Sequence, residues 1–279
     1  MARPLRVLEG GPGLDQAAAA ARRYDEFGFD PEFTESLLPA ARWLYETYFR
    51  VETEGVENVP AEGRCLLVAN HAGVIPYDGA MVRTAIWLEH PYPRHARMLV
   101  ADWAFRMPFT SAFMLRTGNV MAHPANAARL LEREELVGVF PEGVKGAAKP
   151  YTDRYRVRRF GRGGFSQVAL RTRSPIVPVA IVGAEEIHPV VFDVPALAEL
   201  FGLPVFPVTP TFPLLGLLGL VPLPSKWLIA FGKPIDVAAD YGPDAAGDPA
   251  VVLELSERVR STIQAKVYEL LPRRQTPFW

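Results

Sequence analysis

Cysteine occurs once, at Cys65, in a chain of 279 residues. An intrachain disulfide and any metal site built on paired thiolates are therefore excluded, which suits a reducing compartment. Charge of one sign is lacking too: 30 Lys and Arg face 31 Asp and Glu, a formal net charge of −1. Coating nucleic acid needs an excess of base to neutralise phosphates, so the overall balance argues against that class. Residues 1–13 lack the apolar core of a secretory signal, being interrupted by Arg3, Pro4, Arg6, Glu9 and a Gly-Gly-Pro-Gly run. An unbroken apolar helix is also missing. The longest uncharged stretch, 200–225, has the length of a membrane span. It carries Pro204, Pro207, Pro210, Pro213, Pro222 and Pro224, each removing a backbone donor and costing about 3 kcal/mol or more in a helix interior. Several reaction motifs are absent as well. Gly164-Phe-Ser166-Gln-Val168 lacks the closing glycine of a nucleophile elbow. No Walker loop or zinc-protease spacing occurs, and Gly161-Arg-Gly163-Gly164 follows a basic run instead of a strand.

What is present points to a folded α/β protein. Residues of the hydrophobic class make up 49% of the chain and charged residues 22%, enough apolar surface for one large core and too little charge for wholesale disorder. Short apolar runs end in polar or glycine residues: 65–69 before Asn70-His71, 97–101 before Asp102, 136–140 before Pro141-Glu142-Gly143, 175–182 before Gly183, and 227–231 before Gly232. They show little alternation, as expected of strands covered on both faces. Helical patterns separate them at 78–89, 125–135, 164–172 and 249–271. An amphipathic helix is expected over 34–50, capped by Thr34 or Ser36, and a short turn-rich helical stretch at 17–21. The expected architecture is a largely buried mixed or parallel sheet flanked by helices. It forms one domain over 1–279, with an N-terminal helical segment (1–50), a catalytic core (51–240) and a C-terminal helix (241–279).

Ligands of such sheets gather at the carboxyl ends of strands. His71 stands directly after one strand and before Ala72-Gly73, where backbone can approach a ligand closely. Asp78, seven residues on, could accept from the imidazole and fix its tautomer, or merely cap the next helix. Phe140-Pro141-Glu142-Gly143 is the second strand end, either a buried acid beside a tight turn or a plain exposed turn. The third feature is charge segregation. Residues 145–173 hold nine bases and one acid, a local charge of +8 that leaves −9 elsewhere. Lys145, Lys149 and Arg162 could bind phosphate there. Tyr151, Tyr155, Phe160 and Phe165 interleave with the bases, so a single-strand RNA surface and a simply solvated face both remain open. A base without a protein nucleophile, beside an anion site, is the common content of these features.

Asn70-His71 with Asp78, then Phe140-Pro141-Glu142-Gly143 about 70 residues later, then 176–181, resembles the glycerophospholipid acyltransferase family, best known for its lysophosphatidic acid acyltransferases. The resemblance runs from about Gly55 to Pro234 and departs from the family twice. The six residues between His71 and Asp78 exceed the usual spacer, so the loop must bulge, which Gly73 and Pro76 suit. The stretch 118–124 lacks the arginine with which the family holds an acceptor phosphate, so phosphate contact would pass to Lys145, Lys149 or Arg162, or the acceptor is no phosphomonoester.

The resemblance implies that His71 is the general base on an acceptor hydroxyl and that Asp78 orients it. Asn70, Gly73, Phe140, Pro141, Glu142 and Gly143 would line the substrate site, Glu142 contacting acceptor hydroxyls and Gly143 offering a backbone donor. The implied activity is acyl transfer from an acyl thioester, acyl-CoA or acyl carrier protein as co-substrate, to a lysophospholipid or similar lipid. Neither cofactor nor metal is expected. Phe206, Phe212, Leu215 and Leu218 would form an acyl groove or a membrane contact, placing the protein at the inner, cytoplasmic face as a peripheral protein. Acyl hydrolysis or CoA-independent transacylation between lipids on the same fold, and non-catalytic lipid or RNA binding by the basic block, are the competing expectations.

Overall fold

The computed structural model describes residues 24–73, 75–106 and 110–278, and at Lys145 the backbone alone. The stretch 17–21 lies outside the described residues. Seven strands form one sheet: β1 (Glu52–Glu54), β2 (Cys65–Ala69), β3 (Ala96–Val100), β4 (Val120–Met121), β5 (Leu136–Val139), β6 (Ile176–Val182) and, after a two-stranded hairpin of β7 (Phe192–Asp193) and β8 (Pro207–Val208), β9 (Leu228–Phe231). Their order is β1-β9-β6-β2-β5-β3-β4, and only β6 with β9 runs antiparallel. The sheet is thus mixed, with a parallel centre. The principal helices are α1 (Pro31–Ser36), α2 (Leu38–Trp43), α3 (Tyr77–Glu89), α4 (Pro124–Glu132), α5 (Gly164–Thr172) and α6 (Pro249–Leu270).

Side chains alternate across a strand, so the wholly apolar runs serve two cores. Leu66 and Val68 of β2 pack with Leu130 and Leu131 of α4, Val168 and Leu170 of α5, and Val259 and Ile263 of α6. Cys65, Leu67 and Ala69 face the opposite side, against Met81, Val82 and Ile86 of α3 together with Phe49 and Trp227. Every residue of β2 and β6 is buried as a result.

The helix expected over 34–50 is broken. Asp30 caps α1 by accepting from Phe33 N at 3.1 Å, with Pro31 at the first turn, so helix begins before Thr34. Pro39 has no N–H to donate to Glu35, which ends that turn and starts α2, and the chain then widens into a π-turn over Leu44–Tyr48. α4 starts at Pro124 behind a His123 cap, one residue early. The edge strands β1 and β4, at most three residues each, carry no apolar run by which periodicity could find them. Among the described residues no helix is long and apolar enough to cross a membrane.

Candidate active site

β2 lies between β5 and β6 and runs parallel to both, so three strand ends open on one edge of the sheet. From β2 come Asn70 and His71, from β5 the 140–143 turn, and from β6 Gly183 and the Glu185-Glu186 pair. α3 starts close enough to bring Asp78 under His71. The longer spacer is accommodated by Gly73 at φ +84°, where any Cβ would stand 2.9 Å from Ile187 Cδ1.

His71 Nδ1 and Asp78 Oδ2 are 2.6 Å apart. Asp78 is fully buried and also accepts from Ala72 N at 3.0 Å and Gly79 N at 2.8 Å. A carboxylate can only accept, so the imidazole proton sits on Nδ1 and Nε2 is the basic nitrogen. The Phe140 ring packs beside the imidazole, centroids 4.7 Å apart, and leaves the His71 side chain 15% exposed. Burial pulls the His71 pKa down; the charge of Asp78, its hydrogen bond and the charge of Glu142 outweigh that pull, so the net displacement is upward.

Around this pair the structure redistributes several expected roles. Asn70 is a clamp: its amide nitrogen donates to Ile181 O at 2.9 Å and its oxygen accepts from Ile181 N at 2.8 Å, stitching the exit of β2 to β6. Glu142 is a buried brace instead of an open acceptor of substrate hydroxyls. Its Oε1 accepts from His71 N at 2.8 Å and its Oε2 from Arg158 N at 2.6 Å. Lys149 is buried and committed to protein, 2.7 Å from Glu185 Oε1, 3.7 Å from Glu142 Oε2, and donating to Arg156 O at 3.1 Å. A buried ammonium already neutralised by two carboxylates does not await a phosphate. Gly143 has φ +58°, but its N–H donates to Phe140 O at 3.0 Å, so it is not the free donor expected. Pro141 stands half-buried in this turn. Arg162 is exposed on the loop before α5 and does not line the cleft beside His71. The Lys145 side chain lies outside the described residues.

The interleaved aromatics of the basic block point inward. Phe160 is buried and packs edge-on against Phe165 at 5.7 Å, and the Tyr155 hydroxyl donates to Glu186. Sequence reasoning missed Glu185, Glu186 and His188, although they lie within six residues of the end of β6. It missed Arg274 for a different reason, since nothing local ties that residue to the site. Arg274 and the Tyr155 hydroxyl both meet the fully buried Glu186. Glu185 Oε2 accepts from Tyr155 N at 2.8 Å, and burial raises the Glu185 pKa against the lowering effect of Lys149. Among the described residues no group of three or more His, Cys, Asp or Glu could hold a metal ion.

The uncharged segment forms a protruding apolar surface. Leu214, Leu215, Leu217 and Leu218 are 83%, 54%, 83% and 74% exposed, around a 3-10 turn over Gly216–Leu220. Phe206 stacks between Phe201 at 5.8 Å and Phe212 at 5.4 Å and is half-buried, as is Phe212, so these rings support the surface instead of forming its tip.

The class that this fold and site define is that of the acyltransferases: the family model described as Acyltransferase matches residues 50–182. An uncharacterized protein of Mycobacterium tuberculosis is 53% identical over 256 residues, 91% of this chain and 71% of the relative. A Bos taurus protein named "DGAT1/2-independent enzyme synthesizing storage lipids" is 27% identical over 128 residues, 46% of this chain and 37% of that protein. The crystal structure of the 1-acyl-sn-glycerophosphate (LPA) acyltransferase PlsC from Thermotoga maritima superposes with a TM-score of 0.57 at 18% identity, covering 88% of this chain and 81% of that one, a likeness of fold. Residues 50–182 thus carry an acyltransferase domain, in an α/β fold like that of PlsC.

Proposed function

We propose that the protein transfers a fatty acyl group from an acyl thioester to a hydroxyl of a lipid acceptor, with His71 as general base and Asp78 as its orienting partner. The observation that carries this reading is the 2.6 Å contact between His71 Nδ1 and Asp78 Oδ2, which leaves Nε2 free to act. Nε2 takes the proton of the acceptor hydroxyl as its oxygen attacks the thioester carbonyl. The tetrahedral species collapses, the C–S bond breaks, and the imidazolium returns its proton to the leaving thiolate. General base catalysis of this kind contributes about 10²–10⁴-fold, and positioning by the clamped strand ends supplies more. No serine elbow is needed because the acceptor itself is the nucleophile.

The missing arginine in 118–124 and the internal pairing of Lys149 weigh against recognition of a phosphomonoester, and favour a lipid alcohol without one. The storage-lipid name of the bovine relative agrees with that direction. The exposed leucines over 214–218 are the surface by which the protein would meet a membrane from its cytoplasmic side.

Thiol release from acyl-CoA or acyl carrier protein, measured against lysophospholipid, glycerol-phosphate and non-phosphate acceptors, tests the reading. Release is expected to depend on added acceptor and to disappear in His71→Ala with the far-UV circular dichroism unchanged. Near-normal turnover in that variant would sink the assignment, and release independent of acceptor would make the enzyme a hydrolase.

A further inference from the structure

Beside the His71 turn, two buried polar atoms have no role in the chemistry above. His188 is 3% exposed, and its Nε2 lies 3.0 Å from Leu220 O. A carbonyl only accepts, so Nε2 carries the proton and Nδ1 is a bare acceptor. Nδ1 is buried without a hydrogen-bond partner among the described residues. Burial lowers the pKa of this ring, against a smaller raising effect of the Leu220 carbonyl, in keeping with a neutral imidazole. Arg154 presents the complementary atom. Its Nη1 donates to Tyr151 O at 3.2 Å and its guanidinium lies 4.5 Å from the Tyr151 ring centroid, while its Nε is buried and unpartnered among the described residues. Both residues line one small cleft, whose wall includes Ala72 and Gly73, the two residues after His71. Of the other charged groups of that wall, Lys149 and Glu185 form an ion pair at 2.7 Å, in which Glu185 Oε1 is buried without a hydrogen bond among the described residues.

We propose that His188 and Arg154 form the acceptor-recognition pocket, taking a second, non-reacting hydroxyl of a polyol lipid that donates to His188 Nδ1 and accepts from Arg154 Nε–H. The inference rests on the acyl-transfer reading. A hydroxyl is the group that both donates and accepts, and so matches both orphans. An unprotonated phosphate oxygen would set acceptor against acceptor at Nδ1. A simple alcohol would leave both atoms unpaired, and unmade buried hydrogen bonds are how a site built for a hydroxyl rejects the analogue without it. His188 is accordingly specificity-determining, and His71 does the chemistry.

Two variants separate this role from a structural one. His188→Gln retains a donor near Leu220 O and loses the Nδ1 acceptor; His188→Asn places an amide oxygen where Nδ1 stood. With acyl-CoA as donor, His188→Gln is expected to raise KM for a 1-monoacylglycerol, a neutral diol, about three- to tenfold, the range of one neutral hydrogen bond. kcat should stay within about twofold, a long-chain primary alcohol should show no change, and His188→Asn should recover most of the loss. An equal effect on both acceptors, or none on the diol, overturns the proposal. A second readout does not need turnover: histidine side-chain nitrogen NMR of the His71→Ala protein without donor. The His188 Nδ1 signal should move on adding the monoacylglycerol in detergent and stay still with the alcohol. A signal indifferent to both reports water alone in the pocket and refutes the proposal. A moving signal in a protein whose wild type releases no thiol keeps the pocket and removes the transfer reading.

Discussion

His71 owes its basicity to a contest between burial, which disfavours the imidazolium, and the neighbouring carboxylates, which win. Asp78→Asn removes the larger carboxylate contribution, so the acid limb of the kcat–pH profile should shift to lower pH. The rate at its plateau should fall by about 10³–10⁴-fold, the loss seen when a comparable orienting aspartate is neutralised and the tautomer is lost. An unshifted limb would mean that another group titrates. The same coupling has a stability consequence. The folded pKa lies above the unfolded one, so the pair stabilises the fold fully below the unfolded value near 6.5 and loses that contribution as pH rises through the raised value. The melting-temperature gap between wild type and Asp78→Asn should therefore be wider at about pH 5 than at about pH 9. Glu142→Gln sets an amide NH₂ against the N–H of His71 or of Arg158 and leaves Lys149 short of one partner. About 3 kcal/mol of destabilisation is expected in denaturant unfolding, with a fall in kcat from the displaced His71 backbone. His71 and Asp78 were legible because each stands at an element boundary beside a glycine or a turn. The inward commitment of Asn70, Glu142 and Lys149 was not, because all three partners are supplied by distant segments.

Among the elements, the apolar surface over 214–218 is one whose sequence and structure disagree in detail. Substituting Phe212 would disturb an aromatic stack as well as the surface, whereas Leu214 and Leu217 project outward at 83% exposure each. Leu214→Asp with Leu217→Asp should leave the melting temperature unchanged and cut liposome flotation at least about tenfold, given about 1.5–3 kcal/mol for each buried leucine. Binding of the wild type should withstand high salt, because 200–225 holds no Lys or Arg for anionic headgroups. Equal flotation of the folded double variant would show that another surface anchors the protein. The strands and helices of the core were readable from apolar runs and their polar stops, and α5 occupies 164–172 as its periodicity predicts. The N-terminal helix was misjudged because a good apolar stripe does not reveal that Pro39 deprives Glu35 of its hydrogen-bond donor.

At the scale of the whole molecule, a buried chain of charges joins the site to the far end of the sequence. Glu142, Lys149 and Glu185 link the β5 and β6 ends, and Tyr155 and Arg274 converge on Glu186. The Arg274 side chain is 3% exposed, so Arg274→Ala strands a buried carboxylate and should cost about 3–5 kcal/mol, read as a lowered melting temperature. A change within about 0.5 kcal/mol would mean that Tyr155 alone sustains Glu186. The sequence by itself determined the α/β class and the order of the strand-end motifs, because strand burial is a property of neighbouring residues; its spacing left Asp78 between pairing with His71 and capping a helix, and only the family resemblance favoured the pair. Which polar groups remain open to a substrate was decided only by the tertiary structure. Parallel pairing of β2 with β5 and β6 brings 70–71, 140–143 and 183–188 to one edge. There Glu142 braces the strand exits and Lys149 pairs with Glu185, while His71 Nε2, His188 Nδ1 and Arg154 Nε are left for chemistry and recognition.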